Sequence, residues 1–129
     1  MPVKAAATLM ANILNQRKVF PYYVQLIIGG YDSSGGHLYS LDAAGGAIPD
    51  KYTATGSGSP YVFGVLEDHY KDDIDVEKGV ELAIRALNAA MKRDSASGDG
   101  MDIAVITADE FRFLTDEEIR KRKEELNIQ

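Results

Sequence analysis

Residues 92–107 read KRDSASGDGMDIAVIT and contain a polar loop, residues 93–100, between a predicted helix and a predicted strand. Residues 76–91 precede it and carry apolar side chains at helical spacing, with Asp75 placed as the N-cap residue. Residues 101–107 follow it and are predicted to form a buried strand. A loop of this kind needs a glycine or two to end the helix. This one also contains two hydroxyls, two carboxylates and an arginine within residues 93–100.

Two interpretations of residues 93–100 stay open from the loop alone. In the first, the loop is solvated and its side chains form the local hydrogen bonds that are common in turns. In the second, its polar side chains form a cluster that holds a reactive group. A carboxylate with neighbouring hydroxyls can orient an amine or a hydroxyl and tune its protonation.

A second polar loop, TGSGS at residues 55–59, precedes a helix predicted over residues 60–70 with Pro60 in its first turn. One interpretation is a flexible turn in which Ser59 caps the helix. The other is an anion site, because glycines let backbone N–H groups converge and a helix N-terminus favours negative charge.

The rest of the chain alternates between helical and strand patterns. Residues 3–15 have helical spacing, and the apolar run at 22–28 predicts a strand that is buried on both faces and stops at Gly29-Gly30. The turn at 32–36 predicts a hairpin with a second strand at 37–42. A weaker strand is predicted at 47–55.

The C-terminal part predicts a short strand at 110–114 and a charged helix at 116–126. Thr115 and Glu118 form a capping box at its start, and Leu114 with Ile119 fits a hydrophobic staple. The helices are segregated from runs of hairpin-connected strands, which predicts an α+β fold rather than a doubly wound parallel sheet. The stripe predicted to face the core on the helix at 76–91 comprises Val76, Val80, Ala83, Ile84, Leu87 and Met91.

Composition excludes several classes of protein. The 129 residues suit one domain spanning 1–129, and the lack of cysteine excludes a disulfide scaffold, a thiolate nucleophile and a Cys-type zinc site. A net charge of −6 argues against a nucleic-acid partner. No apolar run approaches the roughly 20 residues that span a bilayer, so no membrane association is expected. No signal peptide is evident, which favours the cytoplasm.

The histidines do not suggest a metal centre. His37 follows the polar turn and His69 ends a predicted helix, and neither has a second histidine or a cysteine nearby. We therefore interpret both as surface or boundary residues and expect no metal and no cofactor. Neither a G-x-S-x-G motif nor a phosphate-binding Walker loop is present.

The two polar loops resemble those of the proteasome β-subunit family, in particular its archaeal type. The resemblance lies in ATGSGSPYVFGVLE at 54–67 and KRDSASGDGMDIAVIT at 92–107, and it extends to FPYYVQLIIGGYD at 20–32 and YSLDAAGGAI at 39–48. The RDSASGDG loop is its most specific part. The α-type subunits of the same particle share the fold and characteristically lack that loop.

The resemblance implies an N-terminal nucleophile hydrolase with an αββα sandwich. In this family the hydroxyl of an N-terminal threonine attacks the peptide bond, and its own α-amine acts as the base. Asp94 matches the carboxylate that orients these groups, while Ser97 and Ser57 match their hydrogen-bond partners. Asp42 matches a position that reaches toward the substrate groove of a neighbouring subunit. Implied partners are β subunits in a ring, α-subunit rings and unfolded polypeptide substrates.

The family's opening segment has no counterpart in these residues. We therefore expect the fold here without its first strands and first long helix, and without the threonine nucleophile. Thr8 lies within a predicted helix and cannot serve as a free N-terminal nucleophile. The chain alone is accordingly expected to be inactive, so whether it is itself an enzyme stays open. Two other functions also stay open, a non-catalytic ring or assembly subunit and a small anion-binding α+β module that uses Ser59.

Overall fold

A computed structural model describes residues 2–16, 25–42 and 45–128 of the chain. It contains α-helices and short antiparallel strands, in agreement with the predicted α+β class. The chain divides into two compact units, one of residues 1–55 with Thr107–Asp109 and one of residues 56–106 with 110–129. The prediction of a single domain over residues 1–129 stays a prediction. Across the described ranges, no helix is long and apolar enough to cross a membrane.

The first unit begins with helix α1, Val3–Gln16, as the apolar spacing predicts. One face of α1 is buried, and it forms a core cluster with the second strand of the following hairpin. The residues of this cluster are Ala7, Ala11, Leu14 and Leu41. Small alanines on the buried face let the helix approach the sheet closely, while Lys4, Thr8, Asn12 and Asn15 are exposed.

The hairpin pairs strand β1, Leu26–Asp32, with strand β2, Gly35–Leu41, through a two-residue turn, and β3, Ala47–Pro49, pairs with β2. The hairpin is confirmed, but β1 continues through Gly29 and Gly30 instead of stopping there. Gly30 has a reason to be glycine, because a Cβ would lie 2.9 Å from a methyl carbon of Val3. Residues 22–24 of the predicted first strand lie outside the described residues, and β3 is shorter than the predicted strand at 47–55.

The predicted burial of the first strand on both faces is wrong for its described part. Exposure alternates along β1, and Ile27 is 40% exposed while its neighbours Leu26 and Ile28 pack on the core cluster. This alternation is what an antiparallel strand with one face on a helix shows. The apolar run could not distinguish it, because Ile27 is apolar although its side chain lies on the exposed face.

The second unit contains helices α2, Ser59–His69, α3, Val76–Arg93, and α4, Asp116–Glu125. A 3-10 turn, Ser95–Ser97, follows α3, and strands β4, Ala104–Ile106, and β5, Phe111–Phe113, form an antiparallel pair. The core cluster of this unit is formed by α3, α4 and the segments that flank the strand pair. Its buried residues are Val80, Ile84, Ile103, Leu114 and Ile119.

Local capping chemistry predicts the helix starts well in this unit. The Asp75 carboxylate accepts a hydrogen bond from the backbone N of Lys78 at 2.8 Å, and Thr115 with Glu118 forms the predicted capping box. Leu114 and Ile119 share the core cluster, as the staple requires. Ser59, however, is not the N-cap of α2, because the helix begins one residue earlier and Gly58 takes that position without a side-chain cap.

Two further expectations for this unit are wrong. The strand predicted over residues 101–107 is reduced to β4 and is largely exposed rather than buried. Val76, the first residue of α3, is 50% exposed and is not among the residues that pack on the core cluster, so it does not belong to the core-facing stripe.

Asp32 links α1 to the hairpin, and its ionisation is predicted to contribute stability. Its carboxylate accepts hydrogen bonds from the Ser34 hydroxyl at 2.7 Å and from the backbone N of Val3 at 2.9 Å. These bonds hold the pKa of Asp32 well below its usual range. A carboxyl whose pKa is lowered by folding stabilises the protein above the unfolded pKa of about 3.9, and this stabilisation is lost as the pH falls further.

Asp32→Asn is therefore expected to destabilise the protein at neutral pH. The difference from the parent should shrink as the pH falls below about 4, where the carboxyl of the unfolded parent chain becomes protonated. Urea unfolding at a series of pH values measures this, with the exposed Asp68→Asn as the control. A destabilisation that is constant with pH would show that Asp32 acts only by its shape.

Candidate active site

The structure brings together three of the four residues that the resemblance singled out: Ser57, Asp94 and Ser97. Asp94 is the C-cap of α3, and its backbone N donates to the carbonyl of Ala90 at 2.8 Å, so the last helical turn fixes its position. Its side chain also caps the 3-10 turn that carries Ser97. Ser57 comes from the loop before α2. The second unit alone therefore provides all three side chains.

Both serine hydroxyls donate to the same carboxylate oxygen. Ser57 Oγ lies 2.5 Å from Asp94 Oδ2, and Ser97 Oγ lies 2.7 Å from it. The other oxygen, Oδ1, accepts from the backbone N of Ala96 at 3.4 Å. The bond from Ser57 joins residues that are 37 positions apart, so Asp94 and Ser97 of the loop at 93–100 form a cluster with Ser57 and are not simply solvated.

The cluster presents negative charge and hydrogen-bond acceptors. The hydroxyls of Ser57 and Ser97 hold the pKa of Asp94 below its usual range, so the carboxylate is ionised near neutral pH. Each serine hydroxyl has one proton, and both protons are donated to Asp94. The remaining lone pairs of the serine oxygens can only accept hydrogen bonds. Such a group suits an amine, an ammonium or a hydroxyl, and it opposes an external anion.

Gly58 is part of this site, although its place in the sequence indicates only a loop residue. A Cβ there would lie 2.5 Å from Ser97 Oγ, 2.9 Å from Ala90 Cβ and 3.4 Å from Asp94 Oδ2. Any side chain at this position would therefore occupy the space in which the hydroxyl of Ser97 reaches Asp94. The only signal in the sequence is a glycine between two serines, which is common in turns.

The Asp94 carboxylate also bears on the anion-site interpretation. It lies close to the N-terminus of α2, since Oδ2 is 3.4 Å from the Cβ position of the N-cap residue Gly58. A phosphate bound to the first backbone N–H groups of α2 would face this negative charge. The geometry therefore disfavours an anion at the start of α2.

Asp42 lies in the first unit, directly after β2. Its Oδ1 accepts a hydrogen bond from the backbone N of Gly46 at 2.8 Å, and its carbonyl accepts from the backbone N of Gly45 at 3.1 Å. The side chain thus closes the turn between β2 and β3. The role toward the substrate groove of a neighbouring subunit stays a prediction. Thr8 lies within α1, as predicted.

The polar groups outside this cluster include the two histidines. His37 contacts the Ser34 hydroxyl at 2.7 Å and an Asp32 oxygen at 3.3 Å, both through Nε2, and His69 ends α2. Over the part of the chain that the structure describes, no group of three or more His, Cys, Asp or Glu side chains could hold a metal ion.

Comparison with known proteins identifies the family. The family model described as "Proteasome subunit" matches residues 1–106 of the chain. The chain belongs to the proteasome family. The matched range includes the polar loop at 55–59 and residues 93–100.

Individual relatives confirm the β type. The "Proteasome subunit beta" of Ferroglobus placidus is 58% identical over 125 residues, which are 96% of this chain and 60% of that protein. The Methanothermobacter thermautotrophicus protein of the same name is 52% identical over 97% of this chain and 60% of its own length. The Thermoplasma acidophilum protein is 50% identical over 99% of this chain and 61% of its own length. The chain thus spans about 60% of the length of these relatives.

Gly58→Ala tests the packing of the site in this proteasome sequence. We expect it to lower the free energy of unfolding by about 1–3 kcal/mol, the usual cost of overpacking a filled site. The added methyl must displace Ser97 Oγ or Ala90, which lie within 2.9 Å of its position. Urea unfolding measures the difference.

Gly64→Ala is the matched control, because a Cβ at this position in the middle of α2 meets nothing within 4 Å. It should stabilise the chain by about 0.5–1 kcal/mol, since alanine is the better helix former. Combining Gly58→Ala with Ser97→Ala removes the oxygen that the new methyl would strike. The double variant should therefore be less destabilised than the sum of the two single variants. Additive effects would contradict the proposed close contact.

Proposed function

We propose that this chain forms the supporting side of the active site in a threonine-type endopeptidase, the β subunit of a 20S proteasome core particle. The observation that carries this proposal is the Asp94 carboxylate, which holds the hydroxyls of Ser57 and Ser97 on one oxygen. Membership of the proteasome family supports the assignment of the chain to this particle. The cluster supports the role proposed for Ser57, Asp94 and Ser97 within it.

In the proposed reaction, the hydroxyl of an N-terminal threonine attacks the carbonyl carbon of the scissile peptide bond. Its proton passes to the α-amine of the same threonine, whose ordinary pKa of about 7.7–8.0 suits a base near neutral pH. The cluster accepts hydrogen bonds from the amine and stabilises the ammonium that forms. Asp94 supplies the negative charge, and Ser57 and Ser97 position the amine.

The proposal places the threonine in the part of the subunit outside these residues, since the chain spans about 60% of the relatives' length. The two small sheets and the helices would then belong to one αββα sandwich, and the units described above to one domain. The first strands and the first long helix of that sandwich would also lie in the remaining part. The implied setting is a β-subunit ring stacked on α-subunit rings in the cytoplasm, acting on unfolded polypeptides without a cofactor.

A chimaera tests the proposal. The residues of the chain replace the matching part of the Thermoplasma acidophilum β subunit, to which they are 50% identical, and the product is assembled with α subunits of that organism. The particle is expected to hydrolyse fluorogenic peptides, and an inhibitor directed at N-terminal threonine should block it. The chain alone should show no hydrolysis.

Two outcomes would contradict the proposal. An assembled chimaeric particle without activity would favour a non-catalytic ring or assembly subunit. Hydrolysis by the chain alone would show that the reaction does not depend on a threonine supplied by the remaining part of the subunit.

A further inference from the structure

Three aspartates of the chain are followed by a serine or a glycine: Asp32-Ser33, Asp94-Ser95 and Asp99-Gly100. A small following residue matters because its backbone nitrogen can then approach the side-chain carboxyl carbon of the aspartate. The approach closes a five-membered ring, and bulky or branched following residues hinder it. The structure distinguishes sharply between the three positions.

The carboxylates of Asp32 and Asp94 are fixed by hydrogen bonds. Asp32 accepts from the backbone N of Val3 and from Ser34, and Asp94 accepts from Ser57 and Ser97. These donors hold each carboxylate in one orientation and so restrict the rotation that ring closure requires.

Asp99 lacks such hydrogen bonds among the described residues. It is exposed and lies outside any helix or strand. Within the described ranges, neither its carboxylate nor the backbone N–H of Gly100 takes part in a hydrogen bond or an ion pair. A Cβ at Gly100 would meet nothing within 4 Å, and Gly98 on the other side has a φ of 74°. The backbone around Asp99 is therefore unhindered by side chains on both sides.

We propose that Asp99-Gly100 is a site of spontaneous conversion to isoaspartate. The backbone nitrogen of Gly100 bonds to the carboxyl carbon of Asp99, and one water leaves, made from the carboxyl hydroxyl and the amide hydrogen. Water then adds to the α-carbonyl carbon of the resulting succinimide and breaks its bond to the nitrogen. The main chain now runs through the former side chain, the α-carboxylate becomes the side group, and the net mass is unchanged.

The conversion changes the main chain beside residues that pack in the second unit. It adds one carbon to the main chain between the turn that carries Ser97 and Met101, which packs against the core cluster of the second unit. Asp99 and Met101 also line a cavity of about 350 Å³ that α4 helps to form with Ile119 and Arg120. The modified loop therefore repositions a carboxylate at this cavity. The proposal does not depend on the catalytic role proposed above.

Enzymatic methylation of isoaspartate tests the proposal on the native chain. The protein is incubated at neutral pH, labelled by an isoaspartyl methyltransferase with a labelled methyl donor, and digested with trypsin. Residues 94–112 form one tryptic peptide that separates Asp94 and Asp99 from Asp32, and electron-transfer fragmentation locates the label within it. We expect the label to accumulate at residue 99, preceded by a species one water lighter.

Matched variants and unfolding make the test selective. Gly100→Ala fits the open space at this position and should abolish the label at residue 99, as should Asp99→Glu, which keeps the charge. In urea, Asp32 and Asp94 lose their hydrogen bonds and should become labelled as well. The proposal fails if native protein is labelled as strongly at Asp32 or Asp94 as at Asp99. It also fails if Gly100→Ala leaves the label at residue 99 unchanged.

Discussion

Asp94→Asn is expected to lower kcat/KM for peptide hydrolysis by the chimaeric particle about 10²–10⁴-fold, the range attributed to positioned acid–base groups. An asparagine cannot keep the acceptor pattern of Asp94. With its oxygen in the Oδ2 position it accepts from Ser57 and Ser97, but its NH₂ then faces the backbone N–H of Ala96. In the opposite orientation the NH₂ donates to both serine oxygens, whose hydroxyl protons must then turn away, and both orientations remove the negative charge.

The pH profile separates this effect from a loss of structure. Without the carboxylate, the ammonium form of the threonine amine is less stabilised, so the pKa of that amine falls. The acidic limb of the rate profile should therefore move to lower pH in Asp94→Asn.

The exposed Asp102→Asn, eight positions further along the chain, is the control and should leave the profile in place. Equal activity of Asp94→Asn and Asp102→Asn in assembled particles would overturn the role of the cluster.

Local chemistry made the helices predictable from the sequence. The starts of α3 and α4 depend on Asp75 and on Thr115 with Glu118, which act within a few residues of the chain. The turn at Ser33-Ser34 is equally local. Each of these features brings its own hydrogen-bond partners, so a single sequence suffices to place it.

Strand extents and exposure depend on distant residues and were predicted less well. The length of β1 is set by its pairing with β2, so Gly29 and Gly30 extend the strand although glycines usually interrupt one. The strand predicted at 101–107 is restricted to Ala104–Ile106 because β5 pairs with only those residues. Side-chain polarity alone does not contain this information.

The candidate site shows the same division. Residue types in each loop predicted a polar cluster as one of two possibilities, but joining Ser57 to Asp94 from the sequence required the family resemblance. Gly58 was missed because its importance lies in the close approach of Ser97 and Ala90, which come from the 3-10 turn and from α3. A glycine that makes room for a distant side chain has no local signature beyond being a glycine.

Gly45→Ala is expected to destabilise the first unit by roughly 2–6 kcal/mol. One part, about 1–3 kcal/mol, is the cost of placing a side chain on a backbone with positive φ, here 91°. Another 1–3 kcal/mol or so arises from overpacking. The new Cβ would lie 2.6 Å from Asn15 Cβ and 2.8 Å from the carbonyl oxygen of Ala11.

Helix α1, which Gly45 approaches, is held in place by its packing. Ala11 and Leu14 of α1 are buried in the core cluster against Leu41, so a shift of α1 away from the turn would disrupt that packing. The turn must move instead, and its displacement would break the hydrogen bond from the backbone N of Gly45 to the carbonyl of Asp42. Gly45→Ala should therefore disturb Asp42 as well as the stability of the unit.

Alanine substitutions at two glycines of the hairpin, Gly35 and Gly36, are controls that distinguish the cost of backbone strain from the cost of steric overlap. Gly35 has a φ of 111° with nothing within 4 Å of its Cβ position, whereas Gly36 has no positive φ and only Tyr31 at 3.8 Å. Urea unfolding should therefore rank the destabilisation as Gly45→Ala above Gly35→Ala above Gly36→Ala. If Gly45→Ala costs no more than Gly35→Ala, backbone strain accounts for the whole effect. The close approach of Gly45 to α1 would then add nothing to the stability of the unit.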